Sequence, residues 1–266
     1  METQLIKPIV KIGNSAGVVL PKSWQGSKAR IELIEESIED ITQKTLQILT
    51  KNNLLPITLG IYLIGSHARN EQTPDSDIDL LVITTNKNHR IVEGKYELTL
   101  IPKEQLKEQL KTNALPLLPW IIEAKPILNN NLLEEYKKTK LTYKNLKWHI
   151  ETTKSAMSMN KAAIDLDKEL EQKNTGDSTA YSLILRLRGI YIINCLIKNK
   201  LWKTQELIQQ VKKISGSIIA YERYLHIKND KGKSKDILPL SQAERLMEYI
   251  KKENLKQEKW LKEKRD

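Results

Sequence analysis

The 266-residue chain is long enough for one large domain or two to three small ones, and its 39% hydrophobic and 29% charged residues place it with globular rather than disordered or fibrous proteins. Its one cysteine, Cys195, excludes an intrachain disulfide framework and any multi-cysteine zinc site, and the four scattered histidines form no ligand-spaced pair. Of the net charge of +11, nearly all lies in residues 141–266, where 26 Lys and Arg face 16 Asp and Glu; such an excess either favours a phosphate-bearing or acidic partner or simply solvates helix faces.

In chain order, residues 3–35 alternate short β-branched runs with turn residues: Leu5 to Ile12, the break Gly13-Asn14-Ser15-Ala16-Gly17, Val18 to Leu20, and Ile31 to Ile34. This predicts a small β unit. From Ser37 to about Thr50 the apolar positions Ile38, Ile41, Leu46, Ile48 and Leu49 fit a helix, with Ser37 as its cap ahead of Glu39 and Asp40. Residues 57–138 interleave apolar strands (Ile57 to Ile64, Ile78 to Ile83, Tyr96 to Ile101, Ile121 to Leu128) with short helices. From about Leu141 prolines vanish apart from Pro239, and breaks at Asn174-Thr175-Gly176, Asn199-Lys200 and Asn229 to Lys235 divide a helical region into about four helices. Tyr181 to Ile197 is apolar almost all round and is expected at the centre of that bundle, with Cys195 in its core. The apolar run Gly189 to Ile197 is shorter than the ~18 residues of a membrane span, and no signal-type apolar segment opens the chain, so a cytoplasmic protein without a membrane partner is expected. The expected fold class is α+β in three parts: a β module over 1–36, a mixed sheet with helices over 37–140, and a helical bundle over 141–266.

The sharpest signal is Gly65-Ser66, then ten residues, then Asp77-Ile78-Asp79. One apolar strand runs into Gly65-Ser66 and another carries Asp79. Alternate residues of a strand share a face, so Asp77 and Asp79 project together, and carboxylates held that close repel each other unless a divalent cation joins them. Glu97, between Tyr96 and Leu98 in the next strand, faces away from those two core residues. Three carboxylates on adjacent strands can hold two magnesium ions. Gly65 lets the backbone approach a phosphate, and Ser66, ahead of the short helical stretch His67-Ala68-Arg69, offers a hydroxyl and backbone amides. His67 reaches either a phosphate or only the helix surface.

Gly65-Ser66-His67-Ala68-Arg69, followed by Ser76-Asp77-Ile78-Asp79-Leu80-Leu81-Val82, resembles the minimal nucleotidyltransferases of the DNA polymerase β superfamily, over roughly residues 38–135. The resemblance implies a mixed sheet with helices on one side, a nucleoside triphosphate at Gly65 and Ser66, magnesium on Asp77 and Asp79, and Glu97 in the place of the third carboxylate, as ligand or base. Arg69 either touches phosphate or braces the loop by pairing with Asp75 or Asp79. Two residues depart from the family pattern: Glu97 stands where Asp is common, and Asn70 where a Gly often follows the Arg.

The stretch from Lys11 to Trp24 is similar to the AbrB and MazE-like swapped-hairpin domains over about residues 3–35, which implies that two chains interleave hairpins into one small DNA-binding barrel. A unit under about 40 residues rarely buries enough core alone, in keeping with a homodimer. Residues 1–34 hold five Lys and Arg against two acidic residues. Lys11 and Lys22, with Lys7, Lys28 and Arg30, are candidates to contact DNA phosphates, unless the charge merely solvates a dimerisation module.

Arg186 and Arg188 sit two apart in the apolar helix, hence on different faces, and one of them must meet an anion or the bundle's edge. That anion is a nucleotide phosphate, an acidic substrate or a structural carboxylate. Lys251 to Arg265 reads as an exposed amphipathic helix. The function expected is magnesium-dependent transfer of a nucleoside monophosphate, AMP from ATP foremost, to an acceptor hydroxyl. A protein such as a toxin leads the acceptors, ahead of an RNA end or a small molecule. The competing expectation is a DNA-binding regulator whose transferase fold is a non-catalytic scaffold.

Overall fold

The two-residue turn Gly13-Asn14 closes a hairpin, in which β1 (Ile9–Ile12) pairs antiparallel with β2 (Ser15–Val18), Ile9 opposite Val18 and Ile12 opposite Ser15. The computed structural model describes residues 5–7, 9–31, 36–229 and 237–263 and divides into two units, residues 1–36 and 37–266. Val19 and Leu20 lie beyond the end of β2, and the strand expected at Ile31 to Ile34 falls mostly outside the described residues. No described residue of the first unit from Leu5 to Ile31 is buried, and Ile6 and Ile31 are 80% and 68% exposed.

In the second unit, α1 (Ile38–Lys51) starts at a capping box: the Asp40 N–H donates to Ser37 Oγ, and the Ser37 N–H donates to the Asp40 carboxylate. There follow β3 (Thr58–Ile64), α2 (Gly65–Arg69), β4 (Ile78–Thr84), β5 (His89–Glu93), β6 (Tyr96–Pro102), α3 (Lys103–Thr112), α4 (Leu118–Glu123), β7 (Lys125–Leu128) and α5 (Asn130–Lys137). The five strands form one mixed sheet in the order β5-β6-β4-β3-β7, with β4 and β6 parallel and the other pairs antiparallel.

Helices cover both faces of this sheet, not one. Ile61 and Leu63 of β3 with Leu80 and Val82 of β4 pack against Ile41, Ile48 and Leu49 of α1. Their neighbours Tyr62, Ile64, Leu81 and Ile83 pack against Leu106 and Leu110 of α3, Ile121 of α4 and Leu133 of α5. The cause is in the strands, which are apolar at consecutive rather than alternate positions and so need cover on both sides. The strand expected from Ile121 to Leu128 is also corrected. Its first half is the end of α4, where Pro119 in the first turn favours a helix, and only Lys125–Leu128 joins the sheet. The edge strand β5 is an addition to the expected strands, and it has little apolar content to signal it.

The remainder comprises α6 (Tyr143–Glu169), β8 (Asn174–Thr175), α7 (Asp177–Ile197), α8 (Thr204–Ser215), α9 (Ile219–Lys228), β9 (Leu238–Pro239) and α10 (Leu240–Glu263), with β8 and β9 paired in a short ladder. The described residues thus contain five helices here rather than four, because Gly216-Ser217-Ile218 separates α8 from α9. The break expected from Asn229 to Lys235 lies, beyond Asn229, outside the described residues. By length and composition α7 is able to cross a membrane; here it is the core helix, with Leu183, Ile184, Leu187 and Ile190 packed against α9 and α10 and Cys195 buried near its end. Asp177 at its first turn takes two bonds from Arg223 of α9, at 2.6 and 2.5 Å.

Candidate active site

Strand β3 delivers Gly65 to the end of the central strands, beside Asp79: Ile64 pairs with Asp79 across β3 and β4, and Asp79 pairs with Glu97 across β4 and β6. In each strand these carboxylates share a face with residues that point to α3 and α4 (Leu81, Ile83 and Ile101), so both stand on that side of the sheet. Asp77 lies just ahead of β4 and is exposed. Gly65 has φ +73°, and a Cβ built there would overlap Asp79 Oδ2. Any side chain at residue 65 would therefore displace the carboxylate.

Electrostatics mark Asp79. Burial first, then the charges of Glu97 and Asp77, push its carboxyl up to about 6, against the opposing pull of Lys228 and Arg69. Glu97 is engaged by Arg90 of β5, whose Nη2 donates to Oε2 at 2.6 Å.

The loop after Gly65 is tied down by two carboxylates. Glu123 of α4, 5% exposed, accepts the Gly65 N–H at 2.8 Å and Arg69 Nη1 at 2.6 Å. Burial raises its pKa, while Arg69, the Gly65 N–H and Arg188 pull it down. Arg69 Nε donates to Glu71 Oε2 at 2.9 Å, so its ion pairs run to Glu71 and Glu123 and not to Asp75 or Asp79. Asn70 caps α2 with φ +56°, the left-handed conformation that explains why Gly or Asn serves here. Lys125 bonds its carboxamide oxygen at 2.7 Å and the His67 carbonyl at 3.2 Å.

The bundle supplies two cations near these carboxylates: Lys228, which sequence reasoning did not assign to the site, and Arg188, one of the two arginines expected to meet an anion. Lys228, at the end of α9, is near enough to Asp79 to oppose the rise of its pKa. Arg188 of α7 acts in the same way on Glu123, Tyr221 and Tyr224. Only tertiary packing brings Lys228 there, and no local pattern announces it. Arg186 turns elsewhere and donates to Thr152 Oγ1 at 3.0 Å. A groove of about 770 Å³ between α8 and α10, lined by Gln210, Lys213, Arg245, Tyr249 and Lys252 among others, includes none of these site residues.

The donors suit a hard divalent cation, since carboxylate oxygens are the ligands magnesium takes, and the crowded negative charge on Asp79 is what such an ion would relieve. Among the described residues, however, no group of three or more His, Cys, Asp or Glu is drawn together closely enough to hold a metal. Glu97 is held by Arg90, yet among the neighbouring charges it acts most strongly on Asp79. In the first unit Lys11 lies on β1 and Lys22 in the 3-10 turn Lys22–Trp24, both exposed.

Residues 29–155 match the family described as nucleotidyltransferase domain. No curated protein sequence matches the chain. Among solved structures, a nucleotidyltransferase-like protein from Exiguobacterium sibiricum 255-15 is 16% identical, with 81% of this chain and 75% of that one covered and a TM-score of 0.33. Spectinomycin adenyltransferase AAD(9) from Enterococcus faecialis, solved with ATP and spectinomycin, is 15% identical, with 81% and 98% covered and a TM-score of 0.41.

Proposed function

We propose that this domain transfers a nucleoside monophosphate, AMP from ATP foremost, to an acceptor hydroxyl. The observation that carries the proposal is Asp79, seated against the Gly65 backbone and made hard to ionise by burial and by Glu97 and Asp77, within a segment that matches nucleotidyltransferases. When bound, magnesium would supply charge neutralisation for the attacking and leaving oxygens of an in-line displacement. Asp77 and Asp79 would hold it, joined by Glu97 once that carboxylate leaves Arg90. Gly65 and Ser66 offer the triphosphate a close backbone and a hydroxyl, while Arg69, occupied by Glu71 and Glu123, braces the loop. Lys228 and Arg188 place positive charge where a triphosphate would gather negative charge. In the transfer the acceptor oxygen gives up its proton to a carboxylate, bonds to the α-phosphorus, and the bond from that phosphorus to pyrophosphate breaks.

We assign the acceptor to a protein side-chain hydroxyl, as in antitoxins that AMPylate a toxin, on the likeness of the Gly65 to Val82 motif to minimal nucleotidyltransferases. We assign the first unit to a DNA-binding, dimerising module of the AbrB and MazE type. Its support is the hairpin, the exposed Lys11 and Lys22, and an apolar surface that the unit leaves uncovered among its described residues. A second reading, a regulator whose transferase fold is only a scaffold, is favoured by the Arg90–Glu97 ion pair and by the lack of a gathered carboxylate trio among the described residues. Labelled ATP and magnesium, incubated with the protein and with candidate protein, RNA and small-molecule acceptors, decides between them. An added nucleotide detected by mass spectrometry supports transfer, and DNA binding without any binding of magnesium and ATP supports the scaffold.

A further inference from the structure

Glu71 lies just past Asn70, the C-cap of α2, and its side chain is 17% exposed. Its carboxylate collects donors from two distant parts of the chain. Arg69 Nε donates to Oε2 at 2.9 Å, the Thr204 N–H to Oε1 at 2.8 Å and the Thr204 hydroxyl to Oε2 at 3.1 Å. Thr204 is the first residue of α8, whose own N-cap, Lys203, makes no side-chain capping bond. A first-turn N–H that its own segment leaves open is thus met from across the fold, by a negative charge at the positive end of the helix. On the other side of Arg69, Glu123 holds the guanidinium and accepts the Gly65 N–H. A continuous run of charge-assisted hydrogen bonds therefore links the start of α8, through Glu71, Arg69 and Glu123, to the Gly65 backbone. The Glu71 charge is also felt at Tyr221 of α9, the helix that ends in Lys228.

We propose that Glu71 is a positioning residue that clips the bundle to the glycine loop, so that the geometry of Gly65 and Ser66 depends on where α8 sits. The proposal rests on the reading of those two residues as the triphosphate loop. An exposed ion pair would contribute little to such coupling. This one is largely buried, with Arg69 at 13% exposure, and removing the carboxylate leaves both a guanidinium nitrogen and the α8 N–H without their acceptor.

The test compares full-length wild type with Glu71→Ala, Glu71→Gln and Thr204→Val, the last of which keeps the N–H and loses the hydroxyl. Two readouts are taken: amide hydrogen exchange at residues 65–70 and 204–208, and equilibrium binding of ATP with magnesium. In Glu71→Ala both segments should exchange faster together and ATP affinity should fall about tenfold. Glu71→Gln, which keeps an acceptor oxygen without the charge, should lie between, with the two segments still moving in parallel. Faster exchange at 204–208 with residues 65–70 unchanged overturns the proposal, since Glu71 would then only cap α8; unchanged exchange in both segments overturns it equally. If Glu71→Ala does not fold, Glu71→Gln and Thr204→Val distinguish the same outcomes by the same readouts. Should the wild type bind no ATP with magnesium, the nucleotide reading fails while the parallel or separate exchange of the two segments still decides the clip.

Discussion

Gly189 of α7 lies so close to His149 of α6 that a Cβ on residue 189 would stand 2.6 Å from His149 Cε1 and 3.2 Å from Nδ1. The imidazole is 2% exposed and cannot swing into solvent to make room. Gly189→Ala should therefore destabilise the protein by about 1 to 2 kcal/mol, since overpacking outweighs the ~1 kcal/mol that alanine gains in a helix. Urea unfolding measures this, and placing Gly189→Ala in a His149→Ala background should remove most of the loss. A stabilised single variant would mean that the two helices separate at no cost.

The same histidine gives the bundle an acid-sensitive point. Burial first, and then the charge of Arg186, lower its pKa from 6.5 to about 4. The unfolded chain thus binds a proton over that range while the folded chain does not. The stability attached to the neutral ring is complete above pH 6.5 and drains away as pH falls toward 4. Between pH 7.5 and pH 5 the wild type should lose about 2 kcal/mol more than His149→Gln, measured by chemical denaturation at each pH. Equal pH dependence in the two proteins would show that residue 149 is accessible to protons when folded.

Asp79 behaves in the opposite sense. With its carboxyl at about 6 against the ordinary 3.8, the folded state is the one that holds the proton between those values, so its contribution to stability falls as pH rises through the window. Above pH 6, in chelator-treated protein, Asp79→Asn should be more stable than wild type by about 1 to 2 kcal/mol once solvent screening is allowed for. Magnesium should narrow that gap by stabilising wild type alone. A differential thermal scan with and without the ion reads both effects, and a less stable Asp79→Asn would remove the basis for electrostatic crowding.

If the domain catalyses transfer, Asp77→Asn and Asp79→Asn should each lower the rate by at least about 100-fold, the scale of removing a group that stabilises developing charge. Glu97→Gln should be similarly impaired, and Arg90→Ala, which frees Glu97, should leave turnover intact or raise it. Full activity in both aspartate variants would overturn the assignment.

Deleting residues 1–36 should convert a dimer to a monomer in light scattering while the second unit still binds nucleotide. In the full-length protein, DNA affinity should weaken with salt. Lys11→Ala with Lys22→Ala, which removes four lysines from the dimer, should flatten the slope of log affinity against log salt by about 4, one phosphate for each lysine. Retention of the dimer after the deletion, or a slope untouched by the two substitutions, would separate the hairpin from those roles.

What was legible in the sequence followed from local pattern. Ser37 and Asp40 announce the start of α1, and the Gly65-Ser66 and Asp77-Ile78-Asp79 spacing marks two strand ends that the sheet does bring side by side. The failures share a cause in tertiary context. The apolar run around Pro119 satisfies a strand pattern and a buried helix equally, and its packing on the sheet face chose the helix. Strand β5 forms by pairing with β6 along its length, a backbone interaction to which its polar side chains give no clue. Glu123, whose bond to Gly65 spans 58 positions, and Lys228, which comes from the far bundle, reach the site only through the fold.

The position of α7 has a consequence for synthesis. Its apolar surface is completed by α9 and α10, which leave the ribosome after it, so the nascent chain must carry a 21-residue apolar helix without its final cover until residues up to 263 have emerged. Chains stopped before α10 would hold that surface open to one another, and at about 5 to 20 residues per second the exposure lasts for seconds. The arrival of α10 thus ends that interval by covering the apolar face of α7.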